Sequence, residues 1–210
     1  KVLVKCHTGC SQKSVIDALK YRRLWPEGDR KPFIRSTRKP VPISKESAPP
    51  KQRLNDFALS LWQTSKYANN SLVAEYLAFR GITIPLPTTL RYHPALKYPS
   101  GKVCPAMIGL VTFGNENIPI GIHRTYLTDD GKRKADVPQA KLMLGACGGG
   151  SVRLQAAADV VMVGEGIETC LSAMQAMSLP AWAALSTSGM KSLILPETIK
   201  KVIILVDGDE

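Results

Sequence analysis

No apolar run in the 210 residues approaches the 18 or so that a bilayer-spanning helix requires, so no segment is read as crossing a membrane. The opening, KVLVKCHTGC, is too short and too polar for a secretory signal. An initiator methionine is missing: the chain begins inside a strand-like run and ends on Asp-Gly-Asp-Glu straight after another, which leads us to expect a piece of a longer protein. No internal repeat is visible. What is present is globular. With 44% hydrophobic and 21% charged residues, and 16 glycines and 15 prolines in total, the composition excludes wholesale disorder, a collagen repeat and a disulfide miniprotein. The length suits one or two domains with a real core. Five cysteines, an odd number without a signal, point to a reducing, cytoplasmic setting.

The formal net charge of +11 is unevenly spread. Residues 1–50 carry 12 basic and 4 acidic side chains, and residues 51–150 carry 12 and 6. Residues 151–210 carry 4 and 7. A basic body with an acidic end suggests a polyanion partner for the first part and a cation for the last. Ordinary solubilising lysine is the competing explanation.

Local patterns divide the chain. Residues 2–5 read as a short strand and Ser14–Arg23 as a helix with Val15, Ile16 and Leu19 on one face. Residues 26–50 hold six prolines among Arg30, Lys31, Arg35, Arg38, Lys39 and Lys45; proline fixes φ and removes donors, so this is an extended basic linker. Gln52–Ser65 reads as a helix, and Ser71 caps a second over Leu72–Arg80 that Gly81 stops. Proline-punctuated loops follow. Ala106–Phe113 and Ile118–Arg124 then form a hairpin around Gly114-Asn115-Glu116-Asn117, and Asp129-Asp130-Gly131 marks a turn. The last sixty residues alternate: strand Asp159–Gly164, helix Ile167–Met177, strand Ala181–Leu185, strand Lys201–Val206. Such alternation implies α/β architecture with a parallel sheet.

Acidic residues stand where those strands stop. Glu165 ends the first, Glu168 opens the helix, and Asp207-Gly208-Asp209 ends the last. Ligands of open parallel sheets bind outside the carboxyl ends of the strands. Carboxylates converging there repel one another and need a cation to stay ionised. Hard oxygen donors suit Mg2+ or Mn2+, which can activate a hydroxyl and neutralise a phosphoryl transition state. Taken singly, Glu165 and Glu168 could merely favour a helix N-terminus, and Asp207 and Asp209 could be turn formers.

Here a resemblance becomes plain. The run VMVGEGIETCLSAMQAMSLPAWAALSTSGM, with KKVIILVDGDE after it, resembles a Toprim domain, the module shared by bacterial-type primases, type IA and II topoisomerases and some nucleases. The resemblance implies a Rossmann-like parallel sheet and assigns catalysis and Mg2+ binding to Glu165, Asp207 and Asp209. Glu168 joins the metal ligands through the EGxET variant typical of phage- and plasmid-type primases, and Thr169 stands where replicative primases usually carry an acid. Ser186–Met190 resembles the segment after the second strand, with Gly189 as its turn glycine. Upstream, YLAFRGITIPLPTTLRYHP (76–94) and PAMIGLVTF with IPIGIHRTYLTDDGKRKADVPQAKLMLG resemble the primase catalytic core that precedes Toprim. By their positions in that resemblance, Arg80, Arg124, Lys134 and Lys141 look like basic residues that face template or nucleotide; Arg80 could equally complement a helix dipole. His93 and His123 are read as structural hydrogen-bonders.

Cys104, Cys147 and Cys170 read as small core residues. Cys6 and Cys10 differ: C-x3-C before a helix is half of a zinc site, which needs four ligands. KVLVKCHTGCSQKSVIDALKYRRLW resembles the second half of a CHC2-type zinc-binding domain, with the remaining ligands before Lys1 and His7 not among them.

The expectation is therefore a primase piece of phage, plasmid or mobile-element type. Residues 1–25 would be half a zinc-binding domain and residues 26–50 the linker. Residues 51–155 would be an α+β core subdomain, and residues 156–210 a partial Toprim domain. The intact enzyme would be a nucleotidyltransferase that makes RNA primers on single-stranded DNA from ribonucleoside triphosphates, with Mg2+ or Mn2+, structural Zn2+ and a helicase in cis or trans; this piece alone would be inactive. A Toprim nuclease or topoisomerase, and a non-catalytic single-strand-binding module serving a helicase, are the other readings.

Overall fold

Two β-sheets share the larger part of the molecule, seen in a computed structural model that describes residues 11–22, 56–157 and 159–206. The chain divides into two units, Lys1–Ser47 and Ala48–Glu210. In the first, helix α1 (Gln12–Tyr21) begins earlier than its apolar spacing suggested, because the Ser11 hydroxyl accepts a hydrogen bond from the Ser14 N–H at 3.2 Å and fixes the helix start. The expected strand at 2–5, the linker and the cysteine pair Cys6 and Cys10 lie outside the described residues.

The second unit opens with helix α2 (Asp56–Thr64), the two-residue strand β1 (Lys66–Tyr67) and helix α3 (Leu72–Phe79). Ser71 caps α3 by accepting from the Val73 N–H at 3.2 Å, and Gly81 ends it at φ 79°, a left-handed conformation that glycine adopts without cost. Strands β2 (Leu90–Lys97), β3 (Val103–Phe113), β4 (Ile118–Tyr126) and β5 (Lys141–Gly145) complete an antiparallel sheet in the order β1-β2-β3-β4-β5. The β3–β4 hairpin turns at the predicted residues 114–117. Strand β2 was unexpected. Its Pro94, which cannot donate to a ladder, is absorbed where the register shifts between His93 and Leu96.

The second sheet is built from β6 (Val152–Arg153), β7 (Val160–Gly164), β8 (Ala181–Ala183) and β9 (Lys201–Ile204), in the order β6-β8-β7-β9. β7 runs parallel to both β8 and β9, and β6 pairs antiparallel with β8. Helix α4 (Ile167–Met177), with the predicted bounds, returns the chain from β7, and the short helix α5 (Thr187–Ser192) follows β8. The architecture is thus mixed α/β with a sheet containing parallel strands.

One core joins residues on both sides of position 155. Tyr76, Leu77, Met107, Val111 and Val152 pack in one cluster with Met162, Ile167, Cys170 and Leu171. The sheets approach closely: a Cβ on Gly109 of β3 would lie 3.0 Å from Val152 and 3.1 Å from Ile167. The far face of the first sheet (Ile108, Ile122, Tyr126) packs on α2 through Ala58, Leu61 and Trp62. The far face of the second (Val161, Val163, Trp182) is covered by Met190, Leu193, Leu195 and Ile199. Cys104, Cys147 and Cys170 are buried, as expected of small core residues. Among the described residues no helix is long and apolar enough to cross a membrane.

Candidate functional site

β7 and β9 run side by side in the same direction, and the ladder extends past β9 through a 2.8 Å bond from the Leu205 N–H to the Val163 carbonyl. Their carboxyl ends therefore reach the same edge of the sheet. Glu165 is the first residue beyond β7. Its Oε1 accepts from the Thr187 hydroxyl, and its carbonyl accepts from the Leu185 N–H at 3.0 Å. Leu185 adopts φ 68°, a left-handed conformation that a leucine rarely takes; such strain persists only where the surroundings impose it. Thr187 opens α5, whose N-cap Ser186 accepts from the Gly189 N–H at 2.9 Å. A Cβ on Gly189 would lie 2.0 Å from the Ala184 carbonyl oxygen, so close packing, rather than a turn, demands glycine here. Among the described residues no lysine or arginine pairs with Glu165.

Glu168 lies one turn further along, in the first turn of α4, and is buried. Tyr76 donates to its Oε1 at 2.9 Å, and Lys141 Nζ to its Oε2 at 2.8 Å. Burial alone would raise its pKa, but the adjacent Lys141 charge and these hydrogen bonds outweigh that and hold it at about 2. Burial, then the Glu168 charge, push the Tyr76 phenol well above its ordinary value.

These groups meet in a cleft of about 420 Å3 whose lining includes Arg80, His123, Lys134, Lys141, Glu165 and Glu168. The basic residues come from the end of α3, the loop before β5 and β5 itself; the carboxylates come from the β7–α4 junction, Glu165 just past β7 and Glu168 in the first turn of α4. Burial and the positive charge of Lys141 lower the pKa of Lys134. The structure thus brings together five residues singled out from the sequence: Arg80, Lys134, Lys141, Glu165 and Glu168. It places Arg124 elsewhere. Successive strand side chains face opposite ways, and Arg124 lies on the α2 face of the sheet, donating to the Met143 carbonyl at 3.1 Å and the Tyr126 hydroxyl at 3.3 Å. Its neighbour His123 takes the cleft side. His123 is buried, its Nδ1 has no hydrogen-bond partner among the described residues, and burial followed by the Lys141 charge lowers its pKa to about 4. The structural hydrogen bond expected of it is not made through Nδ1. His93, in contrast, accepts from the Ala95 N–H at 3.2 Å.

The comparisons with known proteins bear on this edge of the sheet. Residues 160–210 match the Toprim domain, and residues 52–154 match a Domain of unknown function (DUF7146). A Toprim domain is therefore present at residues 160–210. No curated protein and no solved structure matches the chain. Toprim domains bind Mg2+ in general and are usually found in enzymes that act on nucleic acids, a class spanning primases, nucleases and topoisomerases. The Toprim edge here is compatible with such an ion. Glu165 is a hard oxygen donor at a strand end, steadied by Thr187 and without a competing cation among the described residues. Asp207 and Asp209 lie outside the described residues, and among the described ones no group of three His, Cys, Asp or Glu could hold a metal. Zinc finds no support there.

Sequence reasoning missed Tyr76, His123 and Thr187. His123 was within reach, since it shares the hairpin face of Thr125, which pairs with Lys141. For Tyr76, 92 residues from Glu168, no local signal existed.

Proposed function

We propose that this chain belongs to a DNA primase, a nucleotidyltransferase that joins ribonucleoside triphosphates into primers on single-stranded DNA. The observation that carries the reading is the cleft itself: three cations from the segment before residue 155 line the same cleft as Glu165 of the Toprim domain, and the one of them that is ion-paired, Lys141, is paired with Glu168. A site for metal-dependent transfer of a phosphoryl group needs cations for the triphosphate beside carboxylates for the ion.

Lys134 and Lys141 act as point charges on the triphosphate, and Arg80 supplies a planar fork for a phosphate. Glu168, with both oxygens given to Tyr76 and Lys141, sets the Lys141 ammonium at the cleft wall and is not assigned to the ion. Glu165, with Asp207 and Asp209, would hold Mg2+. The bound ion supplies charge neutralisation at the transferring phosphoryl group and a lowered pKa for the attacking hydroxyl.

The test is primer synthesis by the full protein on single-stranded DNA with ribonucleotides and Mg2+. Glu165→Gln and Lys141→Met should each lower the rate by about 100-fold or more, the scale seen when one electrostatic partner of a transition state is removed. Unchanged synthesis by Glu165→Gln would refute the assignment. Strand scission without incorporation would move the reading to a Toprim nuclease.

A further inference from the structure

Phe79, the last residue of α3, leaves 65% of its surface in water. Single exposed apolar residues are common and need no explanation. The neighbours of Phe79 set it apart. It lines a shallow depression of about 670 Å3 with Arg80, Lys132, Arg133 and Lys134: one aromatic ring, four cations and no carboxylate. Arg80 and Lys134 also line the Glu165 cleft, so the depression leads directly into it.

The basic turn is held firmly against α3. Asp130 Oδ1 accepts from the Thr128 hydroxyl at 2.6 Å and from the Lys132 N–H at 3.0 Å, and the Arg133 N–H donates to the Thr128 hydroxyl at 3.2 Å. Gly131, at φ 66°, sits so close that a Cβ would lie 2.8 Å from Leu72 at the start of α3. Asp130, two residues before Lys132, is thus committed to the turn, and Lys132 and Arg133 are carried on a fixed support beside the ring.

We infer that this face is a track for single-stranded nucleic acid, with a base stacked on Phe79, phosphates on Lys132 and Arg133, and the strand passing Arg80 and Lys134 into the cleft. Every base offers a π-face, and aromatic rings interleaved with cations are the recurrent means of holding unpaired strands. A duplex keeps its base faces stacked internally and has nothing to offer a protruding phenyl ring. That the strand leads to a reacting centre rests on the function proposed above; the binding does not.

Oligonucleotide binding is measured with metal and nucleotide left out, so its result is independent of any failure to synthesise primers. Phe79→Ala should weaken a labelled single strand by about 5- to 150-fold, the effect of removing one stacked base, with the salt dependence unchanged. Phe79→Trp should retain affinity and show quenched fluorescence on binding. Lys132→Gln with Arg133→Gln should instead lower the slope of log K against log salt by about 1.4, for two phosphates of a single strand. All of these residues are on the surface, so the variants should fold. Wild-type affinity in Phe79→Ala would overturn the inference. So would equal losses for single strand and duplex, or displacement of the oligonucleotide by polyglutamate as effectively as by unlabelled strand.

Discussion

The phenol of Tyr76 and the carboxylate of Glu168, 92 residues apart in the chain, meet in a buried hydrogen bond of 2.9 Å. The bond ties α3 to the first turn of α4. Because Lys141 takes the other carboxylate oxygen, three segments converge on a single side chain. Tyr76→Phe leaves the ring packed and removes one hydrogen bond to a charged group, so it should cost about 1.5–3 kcal/mol. Urea unfolding should show a lower midpoint with an unchanged slope.

Breaking the ion pair should do more. Glu168→Gln leaves Lys141 beside a neutral amide, and a loss of about 2–3 kcal/mol is expected, below the figure for a fully buried pair because 35% of the Lys141 side chain remains accessible. The Glu168 contribution is present above the unfolded value of 4.5 and disappears as pH falls towards the folded value of about 2. Stability curves of the wild type and Glu168→Gln should therefore converge between pH 4.5 and pH 2.

His123 acts in a different window. In the folded protein it titrates at about 4 rather than 6.5, so below pH 6.5 the unfolded chain takes up a proton that the native one refuses. Stability should fall between pH 6.5 and pH 4 by about 3 kcal/mol, at 1.36 kcal/mol per pKa unit. Denaturation of His123→Gln across that range should lack this step.

Thr187 orients Glu165 without being a carboxylate itself. Removing such an outer partner typically costs 10- to 100-fold in metal affinity. Thr187→Val should weaken Mn2+ binding, followed by electron paramagnetic resonance, by about 10-fold while leaving the thermal midpoint nearly unchanged. Gly189→Ala should also weaken it, because its methyl group would collide with the Ala184 carbonyl and displace α5, which carries Thr187.

What the sequence disclosed and what it withheld follow from the range of the interactions. The bounds of α4 and the turn at 114–117 depend on neighbours a few residues away, and both were readable. So was the position of Glu165 at a strand end. Strand β2 was hidden because Pro94 breaks the alternation that marks a strand, and only pairing with β3 accommodates it. Arg124 and His123 are neighbours in one strand and so face opposite sides of the sheet; which of the two turns to the cleft depends on how the sheet packs, which local pattern does not show. The Tyr76–Glu168–Lys141 contact left no trace in local pattern, because its members come from α3, α4 and β5.

The core spanning residue 155 also constrains inheritance. The two family matches meet near that point, yet Val152 and Met107 on one side pack with Met162 and Ile167 on the other. A Toprim domain brought in by recombination would encounter Gly109, where a side chain bulkier than Ile167 would press on a contact already so tight that a methyl group on Gly109 would require its neighbours to shift. Junctions made there should yield insoluble chimaeras unless both segments come from one parent. The Toprim strands and the sheet ahead of them should therefore be exchangeable only as a matched pair.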